Sequence, residues 1–445
     1  MSSVSNRLRC LVATSVVIAT SLAAVGAAAA QSSSEKPKAT EVGVTASEIH
    51  IAIVADVDNA IAPGLFQGGV NGVQGAAKYL NSKAGGGGLA GRKVVVDFYD
   101  AKLNPSETRN AVINACQSDL AMVGTETIFL SNMDDATNCK DQAGQATGMP
   151  DIPSFATGIP EACSAVSFPV QGNSLDCATV AQNPQTYWAT NGGAQYLVKK
   201  NNNDLHGVFI ISGDTKDATR GSTILALGQQ KAGIKGDMVP KGGRDPQSAY
   251  TPVVQQMKTD NSNFASSTLT VGGMVELRSE AQIQGLDASK ISWVCSTCYG
   301  DKATLANSDT LDGTYQQIGF LPFEEAKYNK TLAAFVKNVK DPDSFSAYSF
   351  EATIAFADAI NSVVAKDGVN GITRASTLAA LRNLTDFDAG GMAGAHSFKD
   401  GRLSKCFVLT QFKSGKWVRV TPSKKGTFDC TPSNQVTIKA NINGV

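Results

Sequence analysis

The chain has 445 residues, more than one ordinary domain holds, so two lobes are the natural expectation. Its 39 basic and 39 acidic residues cancel, and no basic run is interleaved with aromatics, which leaves no electrostatic footprint for a nucleic-acid partner.

Arg7 and Arg9, followed by an uncharged run from Cys10 to Ala30, read as a secretory signal peptide over residues 1–30, cleaved near Ala30. An uncleaved anchor is the alternative, although the Ala, Ser, Thr and Gly content makes a poor span. Residues 31–47 read as a disordered lead-in, rich in Ser, Lys, Pro and Thr as far as Val44.

Ile49 to Ala55 is expected as the first strand and Gly69 to Asn81 as a helix. In YLNSKAGGGGLAGRKVVVDFYDAKLNP, Tyr79 to Pro105, four consecutive glycines allow a sharp reversal from that helix into a strand, Lys93 to Tyr99. Val94, Val95 and Val96 read as buried on both faces, as in a parallel sheet. A glycine cluster before a strand is not a phosphate loop, which follows a strand and opens a helix.

Helices are expected over Ser106 to Asp119, with Ser106 as N-cap, and over Ser131 to Ala143, with strands at Leu120 to Gly124 and Ile152 to Ala156. Ligands of doubly wound sheets sit outside the carboxyl ends of the strands, which points to Thr125, Glu126 and Thr127 and to Phe155 to Gly158.

After an irregular segment, Pro160 to Pro184, the pattern repeats: helix Tyr187 to Asn201, strand His206 to Ser212 ending at Gly213-Asp214, and helix Gly221 to Ala232. Next come helix Ala249 to Thr259, strand Ser267 to Val271, helix Met274 to Gly285 and strand Ile291 to Cys295. Helices Lys327 to Lys337, Ser344 to Val364 and Thr377 to Leu384 precede a terminal hairpin, Arg402 to Val420.

Three features together carry a family resemblance. They are Glu48-Ile-His-Ile-Ala-Ile-Val54, the Gly91-Arg92 pair, and Asp100 with Asn104-Pro105. In this order they resemble the opening of the type I periplasmic solute-binding proteins, the branched-chain amino acid binding family of ABC transporters. The resemblance runs from about Glu48 to Val420, with Asp312 to Pro322 similar to the family's return crossing. It implies an α/β fold of two doubly wound, Rossmann-like lobes joined by a three-strand hinge. The N-terminal lobe is expected over 48–172 and 322–390, and the C-terminal lobe over 173–321 and 391–445.

The resemblance further implies capture of a small-molecule ligand (an amino acid, amide or small carboxylate) in the cleft, delivery to a membrane permease, a monomer, and neither cofactor nor metal. Ala156 and Thr157 resemble the family's Ala-Thr-x-Pro region, with one extra residue before the proline. Asp214, Arg220, Met274 and Thr297 fall on the second-lobe loops. Arg220 stands where an aromatic is common and suits bidentate pairing with a carboxylate, or is an exposed helix-start arginine. Met274 replaces another aromatic, and no carboxylate lies at Ser296 to Cys298, where the family holds an α-ammonium. The hydroxyls at 125 and 127 also read as turn residues serving their own backbone.

Without Cys10, eight cysteines remain, an even number that an exported chain is expected to pair. Short loops give Cys116 with Cys139, Cys163 with Cys177, Cys295 with Cys298, and Cys406 with Cys430. Trp293-Val-Cys-Ser-Thr-Cys298 is the sharpest enzyme-like motif, and an extracellular oxidoreductase is one alternative function. A sensing receptor ectodomain is another, though no span follows the hairpin before Val445. His50, His206 and His396 read as structural, and no nucleophile elbow or metal helix is present.

Overall fold

The computed structural model describes residues 35–60 and 62–442, so the expected signal peptide lies outside the described residues. Strands β1 (Glu48–Ala55), β2 (Lys93–Asp100), β3 (Ala121–Val123) and β4 (Asp151–Ile152) form a parallel sheet in the order β2-β1-β3-β4. Ile49, Ile51 and Ile53 of β1 are fully buried, because the strand is central and covered on both sides. The valines of β2 differ from expectation. That strand is the sheet edge, and only Val94 is buried while Phe98 is exposed.

β5 (Gln185–Thr190) pairs antiparallel with β13 (Gln435–Ala440) in a separate ribbon. The expected helix from Tyr187 therefore begins only at Gly192, and Thr-Tyr-Trp before it is extended, as its β-branched and aromatic content favours. β6 (His206–Ser212), β7 (Lys235–Lys241), β8 (Phe264–Ser267), β9 (Ser292–Cys295) and β10 (Tyr315–Ile318) form the parallel part of a larger sheet. The hairpin β11 (Val408–Lys413) and β12 (Lys416–Thr421) extends it antiparallel, giving β12-β11-β10-β9-β8-β6-β7. Its segment β7-β6-β8-β9 repeats the order β2-β1-β3-β4, so the fold is two Rossmann-like lobes of one design.

Other local expectations are corrected. Asn104, not Ser106, caps the helix Pro105–Ser118: its Oδ1 accepts from the Ser106 and Glu107 amides at 2.9 and 3.2 Å. Within the expected helix Ser131 to Ala143 only Asp134–Thr137 is helical. The strand expected to end at Val271 ends at Ser267, and Val271 starts a helix. The lead-in, expected as disordered, lies against the first lobe where it is described. The fully buried Arg92 donates to the carbonyls of Lys38 (2.9 Å), Thr45 (2.7 Å) and Val369 (2.9 Å).

Helix Ser344–Asp367 returns to pack on helix Gln67–Asn81 of the first lobe. Gly72 makes the approach possible, since a Cβ there would come within 2.1 Å of Ser349 Oγ. Three segments cross between the lobes side by side. The Asn173 amide donates to the Gly401 carbonyl at 2.7 Å, Leu321 to Met392 at 2.9 Å, and Gly394 to Gly319 at 2.8 Å. All four expected disulfides are present, and Cys163–Cys177 and Cys406–Cys430 flank the crossings.

Candidate functional site

The carboxyl ends of the parallel strands face one another across the cleft, but the loop side chains do not all turn toward it. Thr125 Oγ1 donates to Asp151 Oδ1 at 2.7 Å, and Thr127 Oγ1 lies 3.4 Å from Thr108 Oγ1. Glu126 is fully buried at the start of helix Gln67–Asn81, where a Cβ on Gly69 would come within 2.1 Å of its Oε2. Among the described residues neither of its oxygens has a hydrogen-bond partner, and burial holds its carboxyl well above the usual range. These three loop residues are turned into the first lobe. Ala156 and Thr157 are half-buried on the next loop, and Thr157 Oγ1 donates to the Thr127 carbonyl at 3.3 Å.

From the second lobe, Arg220 Nη1 pairs with Asp217 Oδ1 at 2.5 Å and Nη2 donates to the Thr157 carbonyl at 2.5 Å. Arg244 Nη2 donates to the Ala60 carbonyl at 3.0 Å. Two second-lobe guanidinium groups thus touch first-lobe backbone, and the lobes stand closed on each other. Asp214 is exposed and accepts from the Gly243 amide at 3.0 Å. Met274 is fully buried in helix Val271–Ile283, and Thr297 Oγ1 donates to the Leu269 carbonyl at 2.7 Å. Of the expected residues, the fold brings Thr157 and Arg220 into direct contact with Ala156 adjoining, and leaves Thr125, Glu126, Thr127 and Met274 inside their lobes.

A cavity of about 250 Å³ adjoins all three crossings and is lined by residues of both lobes, most of them from the second. Its apolar wall includes Leu197, Leu225, Phe264 and Val294, and Ser296 and Gln317 are among its polar groups. From the first lobe, Glu351 on helix Ser344–Asp367 reaches it, and His396 comes from the third crossing. Glu351 is 2% exposed, and among the described residues neither its Oε1 nor His396 Nε2 has a hydrogen-bond partner. Burial raises the Glu351 carboxyl well above the usual carboxylate range, which favours its protonated form, and lowers His396 to about 4. Sequence reasoning passed over Glu351 and read His396 as structural. The available signal was a lone acid, Glu351, inside the apolar stretch Ala347 to Ala357.

Cys295 and Cys298 are bonded to each other and fully buried, which removes the accessible thiolate that disulfide exchange needs. Among the described residues, one group has the spacing of a metal site: His50, Asp97 and Asp119, with His50 Nδ1 2.7 Å from Asp97 Oδ2. His50 lies toward the amino end of β1, away from the cleft. No helix among the described residues is long and apolar enough to cross a membrane.

Residues 48–416 match the family model described as a periplasmic binding protein. Among solved structures, the chain is similar to a fatty acid ABC transporter substrate-binding protein from Thermomonospora curvata. The TM-score is 0.63 at 16% identity, covering 88% of this chain and 95% of that one. It is similar also to a leucine binding protein from Thermotoga maritima, with TM-score 0.60 and 13% identity over 84% and 98% of the two chains. A third is a solute binding protein of an ABC transporter from R. palustris in complex with benzoate, with TM-score 0.58 and 14% identity over 85% and 99%. No curated protein matches the chain in sequence.

Proposed function

The chain belongs to the periplasmic binding protein family, and from that premise we propose that it is the exported, non-enzymatic solute-binding component of an ABC importer. It captures one small molecule between its lobes and presents the closed form to a membrane permease. The observation that carries this reading is the cavity beside the crossings, whose wall is shared by both lobes and all three crossings. A ligand there contacts both halves at once, which is the condition for it to shift a hinge equilibrium toward closure. In this reading Ala156, Thr157 and Arg220 stand where the lobes touch, the lobes divide at 172/173, 321/322 and 390/391, and the protein works as a monomer.

The three similar structures are named for a fatty acid, for leucine and for benzoate, so the fold alone selects no ligand class. A thermal-shift screen of branched amino acids, amides, short carboxylates and aromatic acids tests the proposal, because a ligand that binds only the folded state raises the midpoint by mass action. Small-angle scattering on each hit reports the lobe arrangement. A hit that is chemically altered after incubation, or no hit with any class, counts against a solute carrier. A receptor ectodomain would bind in the same way, and is separated by its failure to stimulate transport when supplied to vesicles carrying the partner permease.

A further inference from the structure

The cavity beside the crossings is asymmetric in a way that selects its occupant. Among the described residues its lining includes no lysine, arginine or aspartate, and Glu351 is the only carboxyl. An anionic ligand would enter with no cation to meet it, and would face a carboxyl already deprived of water. Glu351 also has an oxygen with nothing to bond to in a position 2% exposed, a costly arrangement unless an occupant completes it. The rest of the wall mixes aliphatic and aromatic groups with neutral polar ones, Gln171, Asn191, Gln229, Ser296 and Gln317 among them, and about 250 Å³ is below the range of about 300–1,000 Å³ that holds drug-sized molecules. A long acyl chain does not fit such a volume.

Resting on the proposed solute-binding reading, we propose that this cavity takes a small ligand with a branched or cyclic apolar body and one basic nitrogen, and that Glu351 receives the nitrogen. The proton balance follows from the surroundings. In the free protein burial raises the Glu351 carboxyl well above the usual carboxylate range and so favours its protonated form. In solution near pH 7 the amine carries a proton as well. Two protons cannot both remain where the pair meets without leaving a net charge in the cavity, so one is released to solvent. The complex is then a carboxylate–ammonium pair or its neutral tautomer, and the count is one proton in either case.

Other groups facing Glu351 do not disturb this balance. Tyr348, one turn earlier on the same helix, has its phenol pushed up chiefly by burial. His396, on the third crossing, is pushed down to about 4 and stays neutral above pH 6. Cys295 and Cys406 line the cavity as disulfides and do not titrate.

Calorimetry with the full exported chain tests the proposal, using isoamylamine, 3-methylbutanol and isovalerate as probes of one shape and three charges. The expected result is that isoamylamine binds preferentially, in buffers of different ionisation enthalpy releases close to one proton, and gains about tenfold in affinity per pH unit between pH 6 and 8. In Glu351→Gln, with its melting temperature checked, the amine loses about tenfold or more and proton release disappears. Ser296→Phe in the cavity wall provides a second variant and should block the amine without altering Glu351 itself. Preferential binding of the alcohol or of isovalerate with no proton release, or amine binding unaffected by Glu351→Gln, overturns the proposal. Those outcomes leave solute binding itself standing. Absence of lobe closure with these probes and with every class in the broader screen defeats both readings.

Discussion

Arg220 Nη2 and the Thr157 carbonyl meet at 2.5 Å across the cleft, joining the start of a second-lobe helix to a first-lobe loop. The guanidinium is held at the same time by Asp217, so it is aimed before the lobes come together. A hydrogen bond from a charged donor is worth about 1.5–3 kcal/mol, and about 1.4 kcal/mol is a factor of ten in an equilibrium. Arg220→Ala should therefore shift the lobes toward the open form about tenfold or more. Distance distributions between spin labels on the two lobes check this, and an unchanged distribution in the variant removes Arg220 as a latch.

The legible parts of the sequence were those whose signal is local. The alternation in Glu48 to Ala55 and the glycine reversal before Lys93 need no distant partner to be read. The pairing of β5 does need one, since β13 begins at Gln435, and the helix expected from Tyr187 failed for that reason. β2 was placed correctly but not as an edge, because strand order is a tertiary fact. Thr157 lies on a strand-end loop, whereas Arg220, which the resemblance put on a loop, sits in helix Lys216–Lys231. Glu351 was not legible, because it reaches the cavity from the interior of a helix, a position from which side chains usually enter the core.

Arg419 and Glu325 form a buried pair, with Nε–Oε1 at 2.6 Å and Nη2–Oε2 at 2.7 Å and side chains only 4% and 3% exposed. The pair fastens the hairpin to the segment Phe323–Tyr328 that follows the second crossing. Removing one member strands the other without water, so Arg419→Ala should cost about 3–5 kcal/mol in urea unfolding. Arg109 and Asp135 are as close, at 2.8 Å, but Arg109 is 68% exposed. Arg109→Ala should leave the unfolding midpoint in place, and equal effects from the two variants would refute the burial argument.

The disulfides should contribute unequally. Cys116–Cys139 closes 23 positions of chain and Cys295–Cys298 only 3, so the entropy removed from the unfolded state differs. Replacing both cysteines of the first pair with serine should cost about 3 kcal/mol. The second replacement should cost less through chain entropy, with any remainder due to two buried hydroxyls. Denaturant titration of both double variants measures the difference, and an insulin-reduction assay of the intact protein should stay at background.

Stability should fall as pH rises from about 4 toward 8. Burial raises Asp151 to about 7, with hydrogen bonds from Thr125 and Ser167 opposing it. Burial, aided by Asp97, raises Asp119 to about 8. In the unfolded chain both ionise near pH 4, so between there and their folded values the native state binds more protons than the unfolded one. Raising pH across that window then favours unfolding, by at most about 1.4 kcal/mol per pH unit for each group. His50, raised by Asp97 and Glu48 against the lowering effect of burial, acts in the same direction above its ordinary value. The melting temperature should be higher at pH 5 than at pH 8, and Asp151→Asn, which still offers an oxygen to Thr125, should flatten the slope below pH 7. A melting temperature that climbs between pH 5 and 8 would mean that these carboxyls are ionised in the folded protein.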